Sequence, residues 1–292
     1  MNQSVKAEPA AQPARRVAFQ GVLGAYSHLA AREVFGDDFE PVPCAGFQDA
    51  FDAIAEGKVD LGMIPIENSV AGRVADVYRL LPDAGLYIVG EHFLRVRHHL
   101  LAPAGATMQS VKRIYSHQQA LAQCRNLIRD MGWQAIDAGD TAGAARDVAA
   151  RGDKEEAAIA SSLAGEIYGL NVLRTHIEDL IGNTTRFVVM ARRPIEPDPR
   201  TSDPYLTSFV FNVRNVPGAL YKAMGGFATN GINLVKLESY MTDHSFTATL
   251  FYAEAEGHPA HKNMERAFEE LQFFSTRLKV LGVYHQSPSR RS

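Results

Sequence analysis

The stretch Asn183-Thr184-Thr185-Arg186-Phe187, followed at once by Val188-Val189-Met190-Ala191, decides how this chain reads. The apolar run is β-prone, because β-branched and aromatic side chains pack well on a pleated surface. It is entered through an amide, two hydroxyls and a guanidinium. Alone, Asn-Thr-Thr-Arg is ordinary turn chemistry before a strand, with a surface Arg. Two earlier stretches share the form. Gln20 to Ser27, with Gly21 and Gly24, follows the apolar Val17-Ala18-Phe19, and Pro65 to Gly72 follows Leu61-Gly62-Met63-Ile64. Three polar loops at the mouths of three strands point to one pocket.

Outward from these loops the chain alternates. Helical spacing appears at Leu29, Ala30, Val34 and Phe35, at Phe47, Phe51 and Ile54, and at Val74, Val77 and Leu81. The second half repeats the rhythm: Ile114-Tyr115 leads into Ser116 to Cys124, with Leu121, Cys124 and Ile128 helix-spaced, and Ala157 to Ala160 leads into a helix capped by Ser161-Ser162. Alternating strands and helices imply α/β architecture with parallel sheets and ligands outside the carboxyl ends of the strands. A Ser near a helix start after a glycine loop suits anion binding at the helix N-terminus. Gly21 and Gly24 stand three apart, so the dinucleotide pattern GxGxxG is absent.

The pattern changes after residues 194–204, PIEPDPRTSDP, a proline- and charge-rich linker. Phe209, Phe211 and Val213 alternate as a strand, and Pro217 opens a helix stopped by Asn230-Gly231. Strands over 232–237 and 246–253, a helix over 262–274 and a strand over 278–283 complete βαββαβ, the ferredoxin-like order. Residues 1–16 and 286–292 are polar and read as tails.

Composition excludes several classes. With 30 Lys+Arg against 33 Asp+Glu there is no basic excess for nucleic acid. No apolar run is long enough to span a bilayer, and residues 1–16 lack a signal-peptide core. Two cysteines without paired spacing suit a reducing, cytoplasmic setting rather than a disulfide framework. His92, His98 and His99 lack further ligands at metal spacing, so neither metal nor cofactor is expected. The candidate pocket offers Ser27, Asn68, Ser69, Ser116, Gln123, Thr184 and Thr185, with Arg186 as the cation. Glu67 is the only carboxylate inside a motif, so an acid–base pair is missing. Such a set suits an anionic substrate whose reaction abstracts no proton and needs only a departing oxygen stabilised.

The motifs Gly21-Val-Leu-Gly-Ala-Tyr-Ser27, Pro65-Ile-Glu-Asn-Ser69, Ser116-His-Gln-Gln-Ala-Leu-Ala-Gln-Cys124, Tyr168-Gly-Leu170 and Asn183-Thr-Thr-Arg-Phe187 together resemble the prephenate dehydratase family, in its monofunctional form with a C-terminal ACT domain. The resemblance implies two Rossmann-like lobes similar to type II periplasmic binding proteins, residues 17–95 with 184–193 and residues 96–183, with the active site between them. A linker over 194–206 and an ACT domain over 207–285 follow. The implied reaction is decarboxylating dehydration of prephenate to phenylpyruvate for phenylalanine synthesis, or the same step on arogenate. Thr185 would act on the leaving oxygen, and Asn68, Ser116 and Gln123 would position the substrate. Tyr26, Ser27, Ser69, Thr184, Arg186 and Phe187 would contact it, with Arg186 either clamping a carboxylate or supporting the loop from behind. Glu67 would hold the cleft together. Asn215, Pro217, Gly218, Ala219, Leu220, Glu238 and Ser239 would bind regulatory phenylalanine, although Tyr240-Met241 stands where the family has Arg-Pro. A homodimer or homotetramer is implied. A non-catalytic amino-acid sensor is the reading from another class.

Overall fold

The computed structural model describes residues 14–201, 203–214, 216–240 and 250–290. Three sheets account for its strands. The first is laid down by β1 (Arg15–Gln20), α1 (Tyr26–Phe35), β2 (Phe39–Cys44), α2 (Phe47–Ala55), β3 (Leu61–Asn68), the short β4 (Gly72–Arg73), α3 (Ala75–Leu80) and β5 (Tyr87–Arg95). The second comprises β6 (His99–Ala102), β7 (Arg113–Ser116), α4 (Gln118–Gln123), α5 (Arg125–Asp130), β8 (Gln134–Asp137), α6 (Thr141–Arg151), β9 (Glu156–Ala160), α7 (Ser162–Tyr168) and β10 (Asn171–Arg174). Then β11 (Thr184–Ala191) returns to the first sheet, giving the order β2-β1-β3-β11-β5, while the second is ordered β10-β6-β9-β7-β8.

The expectation of parallel sheets is corrected: both are mixed. The β1, β2 and β3 strands run parallel, but β11 is antiparallel to β3 and β5, and β6 is antiparallel to β9. The reason is the path of the chain. It leaves the first sheet after Arg95 and comes back at Thr184, so the returning strand enters from the end its neighbours leave by. The crossing segments lie side by side, with the Val96 amide donating to the Asn183 carbonyl at 2.8 Å.

The third sheet holds β12 (Tyr205–Val213), α8 (Ala219–Thr229), β13 (Leu234–Tyr240), β14 (Leu250–Glu256), α9 (Lys262–Phe274) and β15 (Ser275–His285), in the antiparallel order β13-β14-β12-β15. Gly218, in the left-handed region at φ 72°, caps α8. Of the strand expected over 246–253, residues 250–253 fall in β14 and the remainder lies outside the described residues, as do Asn215 and Met241.

This sheet is not tethered by the linker alone. One apolar core joins Ala18, Ile64, Ile88, Val188 and Met190 of the first sheet to Leu206, Val210, Tyr252, Leu281 and Tyr284 of the third. The approach is close: a Cβ at Gly282 would lie 1.9 Å from the Ile88 carbonyl oxygen, so only glycine permits it. Burial on this scale contributes about 25 cal/mol per Å² of apolar surface.

The described parts of both expected tails are ordered, while residues 1–13 and 291–292 lie outside the described residues. Arg15 and Arg16 already belong to β1, paired with Phe39 and Glu40. After β15, residues Pro288–Arg290 form a 3₁₀ turn that brings Arg290 onto Glu91 at 2.7 Å, so the chain end is packed against the first sheet. Among the described residues no helix is long and apolar enough to cross a membrane.

Candidate active site

Between the first and second sheets lies a cavity of about 350 Å³. The first sheet contributes Gln20 from the end of β1, Asn68 from the end of β3, and Thr185 and Phe187 from β11. Tyr26 and Ser27 open α1 at its edge. The second lobe contributes Gln119 and Gln123 from α4, and Asp140 and Thr141 at the start of α6, while Val96, His98 and Asn183 lie on the crossing segments. Gly24 lets the β1–α1 loop pass tightly over α7. Its φ is +85°, and a Cβ there would sit 2.8 Å from the Ala164 Cα. Ser161 Oγ donates to the Gly24 carbonyl at 2.6 Å and Tyr168 Oη to that of Leu23 at 2.7 Å, pinning this loop across the lobes.

One hydrogen-bond chain organises the wall, and backbone geometry sets its direction. The amides of Val70 and Ala71 both donate to Asn68 Oδ1, at 3.0 and 2.8 Å. Asn68 Nδ2 therefore faces the site and donates to Asn183 Oδ1 at 2.6 Å and to Thr185 Oγ1 at 2.9 Å. Asn183 Nδ2 in turn donates to Gln123 Oε1 at 2.8 Å, and His98 Nε2 lies 3.0 Å from the same oxygen. His98 Nδ1 meets the Tyr26 hydroxyl at 2.7 Å. Two consequences follow from counting donors. Thr185 Oγ1 accepts from Asn68 and donates to no described residue, so its proton is free for the cavity. Gln123 uses its oxygen twice, which leaves its Nε2 hydrogens for a ligand.

The electrostatics are uniform. The described wall carries no Lys or Arg, and Asp140 is its one carboxylate. Burial pushes the Tyr26 hydroxyl well above its ordinary value, keeping it neutral. Burial lowers His98 despite its bond to Gln123, and raises the Cys124 thiol beneath α4. Apart from the Asp140 carboxylate and the imidazoles of His98 and His117, the cavity is lined by uncharged groups.

Several residues expected at the site lie elsewhere. Arg186 is 4 % exposed and faces away from the cavity, bonded to Glu91 at 2.9 Å, Glu254 at 2.7 Å and the Tyr284 hydroxyl at 3.2 Å. The carboxylate clamp is thus corrected to support from behind, because neighbouring residues on a strand face opposite sides. Ser116 is fully buried and donates to the Ile159 carbonyl at 2.6 Å, so it fastens β7 to β9 and does not reach the cavity. Ser69 and Thr184 bridge the crossing instead: the Thr184 amide donates to Ser69 Oγ at 2.9 Å, and Thr184 Oγ1 to the Gly182 carbonyl at 3.2 Å. Neither is on the cavity wall. Glu67 leaves it too, pairing with Lys236 of β13 at 2.6 Å. Glu238 pairs with Arg73 of β4 at 3.1 Å and Lys236 at 3.0 Å, and the Ser239 carbonyl accepts from Arg73. Pro217, Gly218, Ala219 and Leu220 lie at the start of α8.

Gln20, His98, Gln119, Asp140, Thr141 and Asn183 are wall residues that sequence reasoning did not select. The three histidines diverge: His92 pairs with Glu33, His98 joins the chain above, and His99 packs on His176.

A family model described as prephenate dehydratase matches residues 17–195. The chain is 48% identical over 277 residues to the bifunctional N-acyl-homoserine lactone acylase/prephenate dehydratase of Komagataeibacter europaeus, covering 95% of this chain and 98% of that one. It is 42% identical to arogenate dehydratase/prephenate dehydratase 2 of Arabidopsis thaliana, covering 92% and 72% respectively. Among solved structures, it superposes on the prephenate dehydratase of Arthrobacter aurescens in complex with L-Phe with a TM-score of 0.84 at 30% identity, covering 93% of this chain and 90% of that one. A structure titled as a novel type of quorum quenching acylase, GqqA, gives a TM-score of 0.89 at 48% identity, over 95% of this chain and all of that one.

Proposed function

On the premise that the chain belongs to the prephenate dehydratase family, a family of lyases, we propose that it converts prephenate to phenylpyruvate in phenylalanine synthesis, with Thr185 acting on the departing oxygen. The bond from the ring to its carboxylate breaks and carbon dioxide leaves. The freed electron pair makes the ring aromatic and expels the ring hydroxyl, which takes up one proton to become water. No base is needed, and the wall offers none. The observation that carries this reading is the Thr185 hydroxyl, held by Asn68 at 2.9 Å with its proton uncommitted. A threonine hydroxyl is too weak an acid to give that proton up, so the help is a hydrogen bond that strengthens as charge develops on the oxygen. Gln123 and Ser27 hold the carboxylates, Tyr26 lines the site beside them, and Phe187 packs on the ring.

The test is Thr185→Ala assayed with prephenate, in a protein shown by circular dichroism to be folded. A fall in kcat of about 10²–10³-fold with KM little changed is expected. Near-normal kcat would overturn the assignment. Arogenate is the rival substrate, favoured by the Asp140 carboxylate on the wall, which suits its ammonium group. Assaying both substrates decides between them. The acylase name of the Komagataeibacter relative supports a second reading, since an apolar recess of about 500 Å³ adjoins the cleft and shares Gln119, Gln123 and Asn183 with it. Release of homoserine lactone from an N-acyl-homoserine lactone would support it.

We read the two lobes as a type II periplasmic-binding-protein-like pair and the third sheet with its helices as an ACT domain binding phenylalanine. The L-Phe complex of the Arthrobacter relative supports that reading. Phenylalanine should then raise Tm and lower activity, and no effect on either would count against it. The exposed Val216, Tyr221, Leu237 and Phe273 favour pairing of this domain in a homodimer or homotetramer, and the two free cysteines suit the cytoplasm.

A further inference from the structure

The cleft proposed to take a substrate with two carboxylates has no Lys or Arg on its described wall, and beside a neutral His98 the single proton of the Tyr26 hydroxyl cannot serve both of its partners. The direction of the chain from Val70 and Ala71 leaves Gln123 Oε1 toward His98, so Nε2 carries a proton. On the other side the Tyr26 hydroxyl lies within bonding distance of two groups, His98 Nδ1 at 2.7 Å and the Arg97 carbonyl at 2.9 Å. The carbonyl can only accept. A hydroxyl has one proton, so with a neutral His98 it serves one partner and deserts the other. If Nδ1 is protonated, it donates to Tyr26, whose hydroxyl donates to Arg97, and every bond is made.

We infer that His98 is the ionisable cation of this cleft, neutral when the cleft is empty and taking up a proton when the dianionic substrate binds. The inference rests on the reading of the substrate as a dianion. The surroundings suit two states close in energy. His98 is 2 % exposed, and burial disfavours its charged form in the empty site. The charged or titratable groups facing it are few. Tyr26 of α1 stays neutral, and Glu178, which follows β10, accepts the His98 amide at 3.0 Å and favours the cation. His99 on its own segment opposes it through mutual repulsion, and Asp140 and His117 line the same cavity. Two carboxylates arriving in an otherwise cation-free cavity tip this balance. The imidazolium then acts across a short, poorly screened distance, where charge counts most.

The sign follows by linkage. A group whose pKa rises on binding is protonated in the complex, so affinity is greatest below the free value and falls as pH rises above it. KM for prephenate should therefore climb by up to about tenfold per pH unit from the free value, below the ordinary histidine range, until the bound value is reached. His98→Gln keeps a donor toward Gln123 but cannot carry charge. It should raise KM at pH 7 by about tenfold or more, flatten the dependence of KM on pH and change kcat less. A group with only a structural role would leave the variant's KM and pH profile like those of wild type. As a readout independent of turnover, the His98 imidazole resonance should titrate below the ordinary histidine range in the free protein and shift upward with saturating phenylpyruvate, which keeps one of the two carboxylates and should move it part of the way. Turnover of prephenate with a KM insensitive to pH and to His98→Gln overturns the inference while leaving the proposed function standing. Absence of turnover by wild type overturns the function. The resonance then decides alone, and one unmoved by phenylpyruvate removes the inference as well.

Discussion

Thr185 and Arg186 are neighbours on β11, yet their surroundings are opposites. On the front, Thr185 meets amides and hydroxyls in an open cavity with no Lys or Arg on its described wall. On the back, Arg186 is enclosed by Glu91, Glu254, Tyr284 and the Phe93 ring, and Arg290 from the chain end shares both carboxylates. Two guanidiniums against two carboxylates make the back face nearly charge-balanced, which is what lets the ions tolerate burial. The front can hold an anion because the Thr185 hydroxyl and the Gln123 amide still have uncommitted hydrogens. The back cannot, because every charge is already matched. One strand thus separates recognition from anchoring by alternation alone.

The strongest way to break that comparison is Arg186→Ala. It leaves Glu91 and Glu254 with one partner instead of two, and should cost about 3–5 kcal/mol of stability, read as a drop in the urea midpoint. If stability holds and KM rises instead, Arg186 belongs to the front after all. Thr185→Ala should do the reverse, removing about 3–4 kcal/mol of transition-state stabilisation while leaving the urea midpoint nearly unchanged. Acid offers a third test. Burial alone would raise the Glu91 carboxyl, but its bond to Arg290 and the charges of Arg186 and Arg290 outweigh that and hold it below the ordinary carboxylate range. Its contribution is therefore present above the unfolded value and lost as pH falls through the lower, folded one. Wild type should lose stability in that acidic window, and Glu91→Gln, weaker at neutral pH, should lose less there. The smallest effect belongs to Lys236→Met, which releases the half-exposed Glu67 and Glu238 and should cost about 0–1 kcal/mol. A larger loss would mean that the back-face pairs act as one network.

Much of the fold was legible because local pattern and global fold agree. The helix expected over 262–274 is α9 to the residue, and the βαββαβ order appears as read. Of the two readings open for Arg186, a carboxylate clamp or support from behind, the sequence already favours the second: adjacent strand residues cannot both line one cleft, so choosing Thr185 and Phe187 excludes the clamp. Ser116 was another matter. It ends β7 beside α4, where loop and strand end look alike, and only the Ile159 carbonyl shows which it is. His98 offered no local signal, because its partners Tyr26 and Gln123 are 72 and 25 residues away. The same holds for Arg290, 199 residues from Glu91 in a stretch whose composition reads as a tail.

Gly282 against Ile88 has a consequence for how this protein can be rearranged. A backbone contact without room for a methyl group, set in one continuous apolar core, leaves the third sheet no freedom to slide on the first. The proline-rich segment over 194–204 looks like the natural place to divide the gene, but a cut there would pass through a single mechanical body. A fragment ending near residue 193 would carry Arg186 and Glu91 into water beside a bare hydrophobic sheet. Chimaeras that take the third sheet from a relative should therefore exchange β5 and the segment after β15 together with it, treating the linker as a hinge of sequence and not of structure.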